Sequence, residues 1–270
     1  MIADGDATPP SSPIRRSDRR QLTGRPATAP KQKAAVLVAK RIVAQVERLR
    51  LRPGDKLPPE RAMLEEFRVA RSTLREALRF LELQGVISLR TGPGGGPVVR
   101  EPGSTHLAAT LALVLQFKDA PYRVIVDARV ALEPVMAGLA APRISEAELA
   151  ELRRANELMA SRQAELEAFL TANQRFHDVI ALASGNALFA AILEALLGIM
   201  DGTAIGIDYP PQAQVAIAQA HRDIYAALAA RDAEAATAAM RRHTLDYLRY
   251  AERRYPHVLE RRVTWDLLPL

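Results

Sequence analysis

The chain has 270 residues and a mass of 29.6 kDa, room for one large domain or two modest ones. It is 49% hydrophobic and 25% charged, so a real core is available, and it has no cysteine, which excludes disulfide scaffolds, thiolate zinc sites, iron–sulfur clusters and a cysteine nucleophile. No run of about 18 uncharged apolar residues occurs, so no membrane span is expected. The N-terminus carries Asp4, Asp6 and prolines where a signal peptide needs an apolar stretch, and a cytoplasmic protein is expected.

Residues 1–30 hold five prolines and no aromatics, and are expected to be a disordered basic arm. A helical stripe follows at Val38, Ile42, Val46 and Leu49, broken by Pro53-Gly54-Asp55. A short helix is expected from about Pro59 to Phe67. Another runs from Arg71 to Gln84, with Leu74, Leu78 and Leu81 on one face and Gly85 as its C′ residue. Residues 86–90 read as a strand. Residues 91–97 contain four glycines and two prolines, a tight turn, after which Val98 to Arg100 can return as a second strand. From residue 101 the texture changes to 37 alanines and six glycines in 170 residues. Helical patterns are expected at about 105–117, 121–141, 145–161, 165–184, 187–203, 211–229 and 232–254, with Asp232 capping the last. The expected class is mainly α: a winged helix-turn-helix domain at 31–101, an antiparallel all-helical bundle at 105–254 and a C-terminal tail at 255–270.

Net charge is +6 overall, yet residues 1–100 carry 20 Lys+Arg against 10 Asp+Glu, and residues 101–270 carry 17 against 21. A basic front module suggests a polyanionic partner, nucleic acid first. Arg71 and Arg75 lie one turn apart at the N-terminal end of their helix, with Ser72 and Thr73 between them and Arg79 one turn further. Arginine forks match guanine O6/N7, and hydroxyls and helix N-terminal amides suit phosphate. The plain alternative is an amphipathic helix with a solvated basic face.

The segments Pro53-Gly54-Asp55-Lys56-Leu57-Pro58, Glu60-Arg61 and Val69 to Leu78 together resemble the DNA-binding domain of GntR-type bacterial regulators. The resemblance implies that Arg61, Arg71, Arg75 and the wing residues near Thr91 and Gly92 contact DNA. Pro59 and Ala70 depart from the family's helix-capping residues, and a weaker cap is expected at each.

In the second half, Asn173 and His177 share a helix face at i and i+4, and His221 and His243 fall on two further helices. Three bundle helices can converge on one interior point, where imidazoles and an amide oxygen suit a divalent ion. Any one histidine taken alone is more readily a solvated or hydrogen-bonded side chain than a ligand. His106 and His257 lie at the bundle's edges.

The order of Asp127-Ala128-Arg129, Leu132-Glu133-Pro134, Asn173 to His177, Gly185-Asn186, His221 and Met240 to His243 resembles the FCD effector domain of the FadR-like GntR subgroup. The resemblance implies a divalent metal, zinc first with nickel or manganese as alternatives, held by His177, His221 and His243. Asn173 stands where metal-binding members carry an acidic ligand. It further implies a small carboxylate effector, which Arg129 could hold bidentately, although an i+4 salt bridge to Glu133 is open to the same arginine. The expected function is a bacterial, nucleoid-associated, homodimeric transcription regulator, a repressor by the commoner family mode, on a double-stranded, pseudo-palindromic operator. It is not expected to be an enzyme. Two alternatives stand beside it: a metal-free regulator sensing a larger apolar ligand such as an acyl thioester, and a metal-dependent hydrolase fused to a DNA-binding module, with Glu133 or Asp178 as base.

Overall fold

A computed structural model describes residues 30–92, 94–161, 165–200 and 206–267. The expected arm lies outside the described residues except for Pro30, which already begins the first helix. The chain divides into two compact units, residues 1–82 with 87–100, and residues 83–86 with 101–270.

In the first unit α1 spans Pro30–Arg48, α2 Glu60–Phe67 and α3 Arg71–Leu83, followed by strands β1 Ile87–Arg90 and β2 Gly96–Val99. Helix α1 buries Ala35, Val38, Ala39 and Ile42. Its stripe then departs from the expected one: Leu49 is exposed, and the buried position is Gln45. The Gln45 amide is tolerated there because its Nε2 donates to Glu66 Oε2 at 2.8 Å. Pro59 gives α2 no side-chain cap, as its chemistry requires. Helix α3 buries Leu74, Ala77, Leu78 and Leu81 and ends near Gly85, whose φ of +70° lets the chain turn left-handed. The strands pair antiparallel, Ile87 opposite Val99 and Arg90 opposite Gly96. Residues 54–57 extend this ribbon, with Gly54 N donating to Val99 O and Leu57 N to Pro97 O, each at 2.9 Å.

The second unit is helical: α4 Ser104–Gln116, α5 Arg123–Ala140, α6 Glu146–Ala160, α7 Leu166–Ala183, α8 Ala187–Ile199, α9 Pro211–Ala229, α10 Ala233–Arg254 and α11 Pro256–Leu259. Capping residues set several starts. Ser145 and Glu148 form a capping box on α6, the Asn186 side chain accepts from Leu188 and Phe189 on α8, and Asp232 accepts from Ala235 N on α10. The neighbours that pack most extensively are α5 on α10, α6 on α7, α9 on α10 and α4 on α8. Alanine permits this closeness: Ala137, Ala140, Ala172, Ala218, Ala236 and Ala239 are all buried around Phe169, Phe176, Ile180, Ile224 and Met240. A second cluster gathers Tyr122, Ile125, Leu196 and Ile199 with Val258, Leu259 and Val263. The chain beyond α10 therefore packs back on α5's start, where Tyr122 N donates to Arg261 O at 2.9 Å. No helix among the described residues is long and apolar enough to cross a membrane.

Candidate functional site

The bundle's polar centre is assembled from four helices. Helix α5 supplies Arg129 and Glu133, α7 supplies His177, α9 supplies His221 and α10 supplies His243. All five are buried, His221 completely. Buried ionisable groups persist only when paired; Arg129 and Glu133 bond to one another, whereas His221 Nδ1 is buried without a hydrogen-bond partner.

His243 is the vertex of the histidine cluster. Its Nε2 lies 3.3 Å from His221 Nε2 and 3.4 Å from His177 Nε2. Ligand-type atoms of all three histidines lie within 4.8 Å of one another. Nitrogens about 2.0–2.1 Å from a tetrahedral ion stand about 3.3–3.4 Å apart, so the observed separations fit a divalent ion. Hydrogen bonding satisfies the cluster poorly. His243 Nε2 holds at most one proton and faces two other ring nitrogens, whereas a cation would take a lone pair from each. Burial, then the neighbouring histidines and Arg129, push His221 well below its ordinary pKa. Burial and His177 push His243 down to about 3, against the opposing charge of Glu133. Both rings are therefore neutral donors at pH 7. The stack of His221 on Phe176, with ring centroids 4.0 Å apart, holds its plane.

Glu133 sits on the other side of His177. Its Oε2 is 2.5 Å from His177 Nδ1, and its Oε1 is 2.5 Å from Arg129 Nε. Burial alone would raise the Glu133 pKa, but Arg129 and His177 outweigh it and hold the carboxylate well below its ordinary range. The i+4 bridge between Arg129 and Glu133 is thus present. Arg129 also lines a small cavity with Val126, Val130, Asn173, His177, Tyr209, His243, Thr244 and Tyr247. Its guanidinium carbon lies 5.6 Å from the Tyr247 ring centroid. The cavity volume is about 30 Å³, where one water occupies about 10–15 Å³ in the same measure. Pro134 has no N–H, so the Val130 carbonyl on this wall lacks its helical donor.

The structure thus brings together His177, His221, His243 and, along the cavity wall, Asn173 and Arg129. Sequence reasoning offers Glu133 as the i+4 partner of Arg129 and as a candidate base, but not its contact with His177. Asp178, the other base considered, does not line the cavity; its Oδ1 is buried without a partner, and burial raises the carboxyl to about 6.

In the first unit the expected DNA-reading residues are mostly exposed. Arg71, Ser72, Arg75 and Arg79 are exposed on α3, with Thr73 half-buried, and Thr91 and Gly92 are exposed in the wing. Arg75 and Arg79 share a cleft with Lys56, Arg90 and Thr91. Arg75 Nε is 3.8 Å from Glu60 Oε1, and Arg61 Nε is 3.2 Å from Glu65 Oε1. Both pairs are so exposed that a phosphate or base edge can replace the carboxylate at little cost.

Comparison with known proteins now decides the family. Residues 35–95 match the model of bacterial regulatory proteins of the gntR family, and residues 124–246 match the FCD domain. The HTH-type transcriptional regulator YcbG of Bacillus subtilis is 33% identical over 205 residues, 76% of this chain and 84% of that protein. The HTH-type transcriptional regulator LutR of the same organism is 30% identical over 72% of this chain and 90% of its own length. The solved Streptococcus agalactiae GntR superposes with a TM-score of 0.67 at 26% identity, covering 80% of this chain and all of that one.

The chain belongs to the GntR family of bacterial transcription regulators. As a GntR regulator with an FCD domain, it pairs a DNA-binding unit with an effector-binding helical unit. Its relatives are transcriptional regulators, not enzymes. The family places the basic α3 surface and the histidine cluster in the two halves of one regulator.

Proposed function

We propose that this GntR regulator binds a divalent metal ion, zinc first with nickel or manganese as alternatives, at His177, His221 and His243, and couples a small carboxylate to operator binding. The observation that carries this reading is the convergence of three buried imidazoles, with His243 Nε2 3.3 and 3.4 Å from its two neighbours. Asn173 on the cavity wall is placed to add a neutral oxygen donor. A bound ion with three or four protein ligands keeps positions open for a carboxylate oxygen. Arg129, always charged, holds the anion's other oxygen from the same cavity. The small size of the cavity and the presence of Arg129, Asn173, His177 and His243 in its wall favour this reading over one in which a long apolar acyl ligand is sensed.

DNA reading is assigned to Arg71, Arg75 and Arg79 with Ser72, Thr73, Arg61 and the wing residues Thr91 and Gly92. Arg75, Arg79 and Thr91 line one cleft, and all of these residues except the half-buried Thr73 are exposed, which supports the assignment. A pseudo-palindromic operator calls for a two-fold protein, so the working form is a homodimer. Exposed Leu113, Val114 and Phe117 on and just after α4 supply apolar surface for one. Carboxylate and DNA are coupled ligands, and a typical coupling of about 1–3 kcal/mol gives about 5–150-fold regulation. Repression relieved by the carboxylate is the mode proposed.

Elemental analysis of untagged protein tests the centre: about one equivalent of metal per chain is expected, lost in His177→Ala. Protein that takes up no zinc, nickel or manganese on incubation refutes it.

A further inference from the structure

We propose that Glu133 is the positioning residue of the centre: its single carboxylate spans Arg129 and His177, and so sets both the ring tautomer of a metal ligand and the pose of the carboxylate-binding guanidinium. This rests on the metal-centre reading given above.

The geometry is specific. Oε1 accepts a hydrogen bond from Arg129 Nε on the same helix, and Oε2 lies against His177 Nδ1 on α7 as an ion-pair contact off the hydrogen-bond line, each at 2.5 Å. A carboxylate oxygen can face a ring nitrogen at that distance only if the nitrogen carries the proton. His177 is then the Nδ1–H tautomer, and its Nε2 lone pair is left facing His243 Nε2 at 3.4 Å. The other tautomer would aim a proton into the metal position. Glu133 itself is not a ligand in this arrangement, because it sits on the ring nitrogen turned away from the cluster. An acceptor behind a ligating histidine orients the ring and strengthens it as a donor.

The same carboxylate fixes Arg129. The ion pair engages Nε, and the two Nη groups carry four further N–H donors on a residue that lines the cavity. A small anion seated on that edge draws guanidinium charge away from Glu133, which then acts more fully on His177. Anion and metal favour one another through Glu133, and by linkage the effect is reciprocal. A mere helix-stabilising i,i+4 bridge between Arg129 and Glu133 would leave the His177 tautomer indifferent to residue 133.

Two measurements test this on the full chain. Long-range proton–nitrogen NMR of the metal-free wild type at pH 8 should show His177 protonated at Nδ1; protonation at Nε2 overturns the proposal. Competition of zinc against a chromophoric chelator should show Glu133→Gln binding zinc about 10–100-fold more weakly than wild type. That substitution leaves Arg129 buried without its counter-charge, so the double variant Arg129→Met with Glu133→Gln removes that strain and should show the same weakening. Wild-type zinc uptake with unchanged uptake by both variants overturns this inference alone. No uptake by the wild type overturns the metal centre, and this inference with it.

Discussion

Replacing His243 by Ala should abolish the thermal stabilisation that zinc confers. His243 Nε2 is the nitrogen within 3.4 Å of both other imidazoles, so its loss leaves two donors rather than three. A ligand that binds only the folded state stabilises it by RT ln(1 + [L]/Kd), about 4 kcal/mol at 1,000 times Kd. For a unit of this size 1 kcal/mol moves Tm by about 2–4 °C, so saturating zinc should raise wild-type Tm by roughly 8–16 °C. A loss of 10³-fold or more in affinity on removing a ligand brings [L]/Kd to about one or below, and the shift falls to under roughly 2 °C. The substitution also acts without metal. It removes a ring that is 7% exposed and leaves a void, at about 1–3 kcal/mol, so the metal-free variant should melt lower than metal-free wild type. The informative quantity is the difference between zinc and chelator for each protein, measured by calorimetry at about pH 7.5, where His221 and His243 are neutral. A variant that keeps the full zinc-induced shift would show that His243 is not a ligand and that the three-nitrogen convergence is incidental.

Arg71→Ala and Arg75→Ala should each weaken specific operator binding by about 1–3 kcal/mol in fluorescence anisotropy, and normal binding by both would remove α3 as the reading helix. Arg61→Ala should weaken all sequences alike and flatten the salt dependence by about one unit of slope, as loss of a phosphate contact requires. Asn173→Asp adds a charged oxygen on the cavity wall and should tighten zinc binding; an unchanged affinity would place residue 173 outside the ligand set. Metal-free protein should lose stability as pH falls from about 6.5, because His243 stays neutral when folded down to about 3 while its unfolded form takes up a proton. The slope is up to about 1.4 kcal/mol per pH unit for that histidine, and His221, also pushed down, adds in the same direction. Urea unfolding at pH 7, 6 and 5 reads it. A flat profile would mean that the rings are not held neutral.

Much of this was readable from local pattern. The spacing of Leu74, Leu78 and Leu81 marks one face of α3, and the same helix geometry puts Arg71, Arg75 and Arg79 on its solvent side. Asp232 and Gly85 act where their chemistry is strongest, as a helix N-cap and a left-handed turn residue. The α1 stripe was readable only in part. Periodicity counts Leu49 as apolar, but burial there goes to Gln45 because Glu66 of α2 offers its amide a partner.

Local pattern suffices to read a basic winged-helix module followed by an alanine-rich helical bundle, with three histidines on three helices. Helix period, caps and charge are properties of neighbouring residues. Which ring nitrogens meet, that His243 is the vertex, and that Glu133 lies between Arg129 and His177 emerge from the packing of the helices alone. His177, His221 and His243 are 44 and 22 residues apart along the chain, and their separation depends on how α7, α9 and α10 cross. Those crossings are set by close packing of small side chains on several helices at once, which no local window of sequence contains.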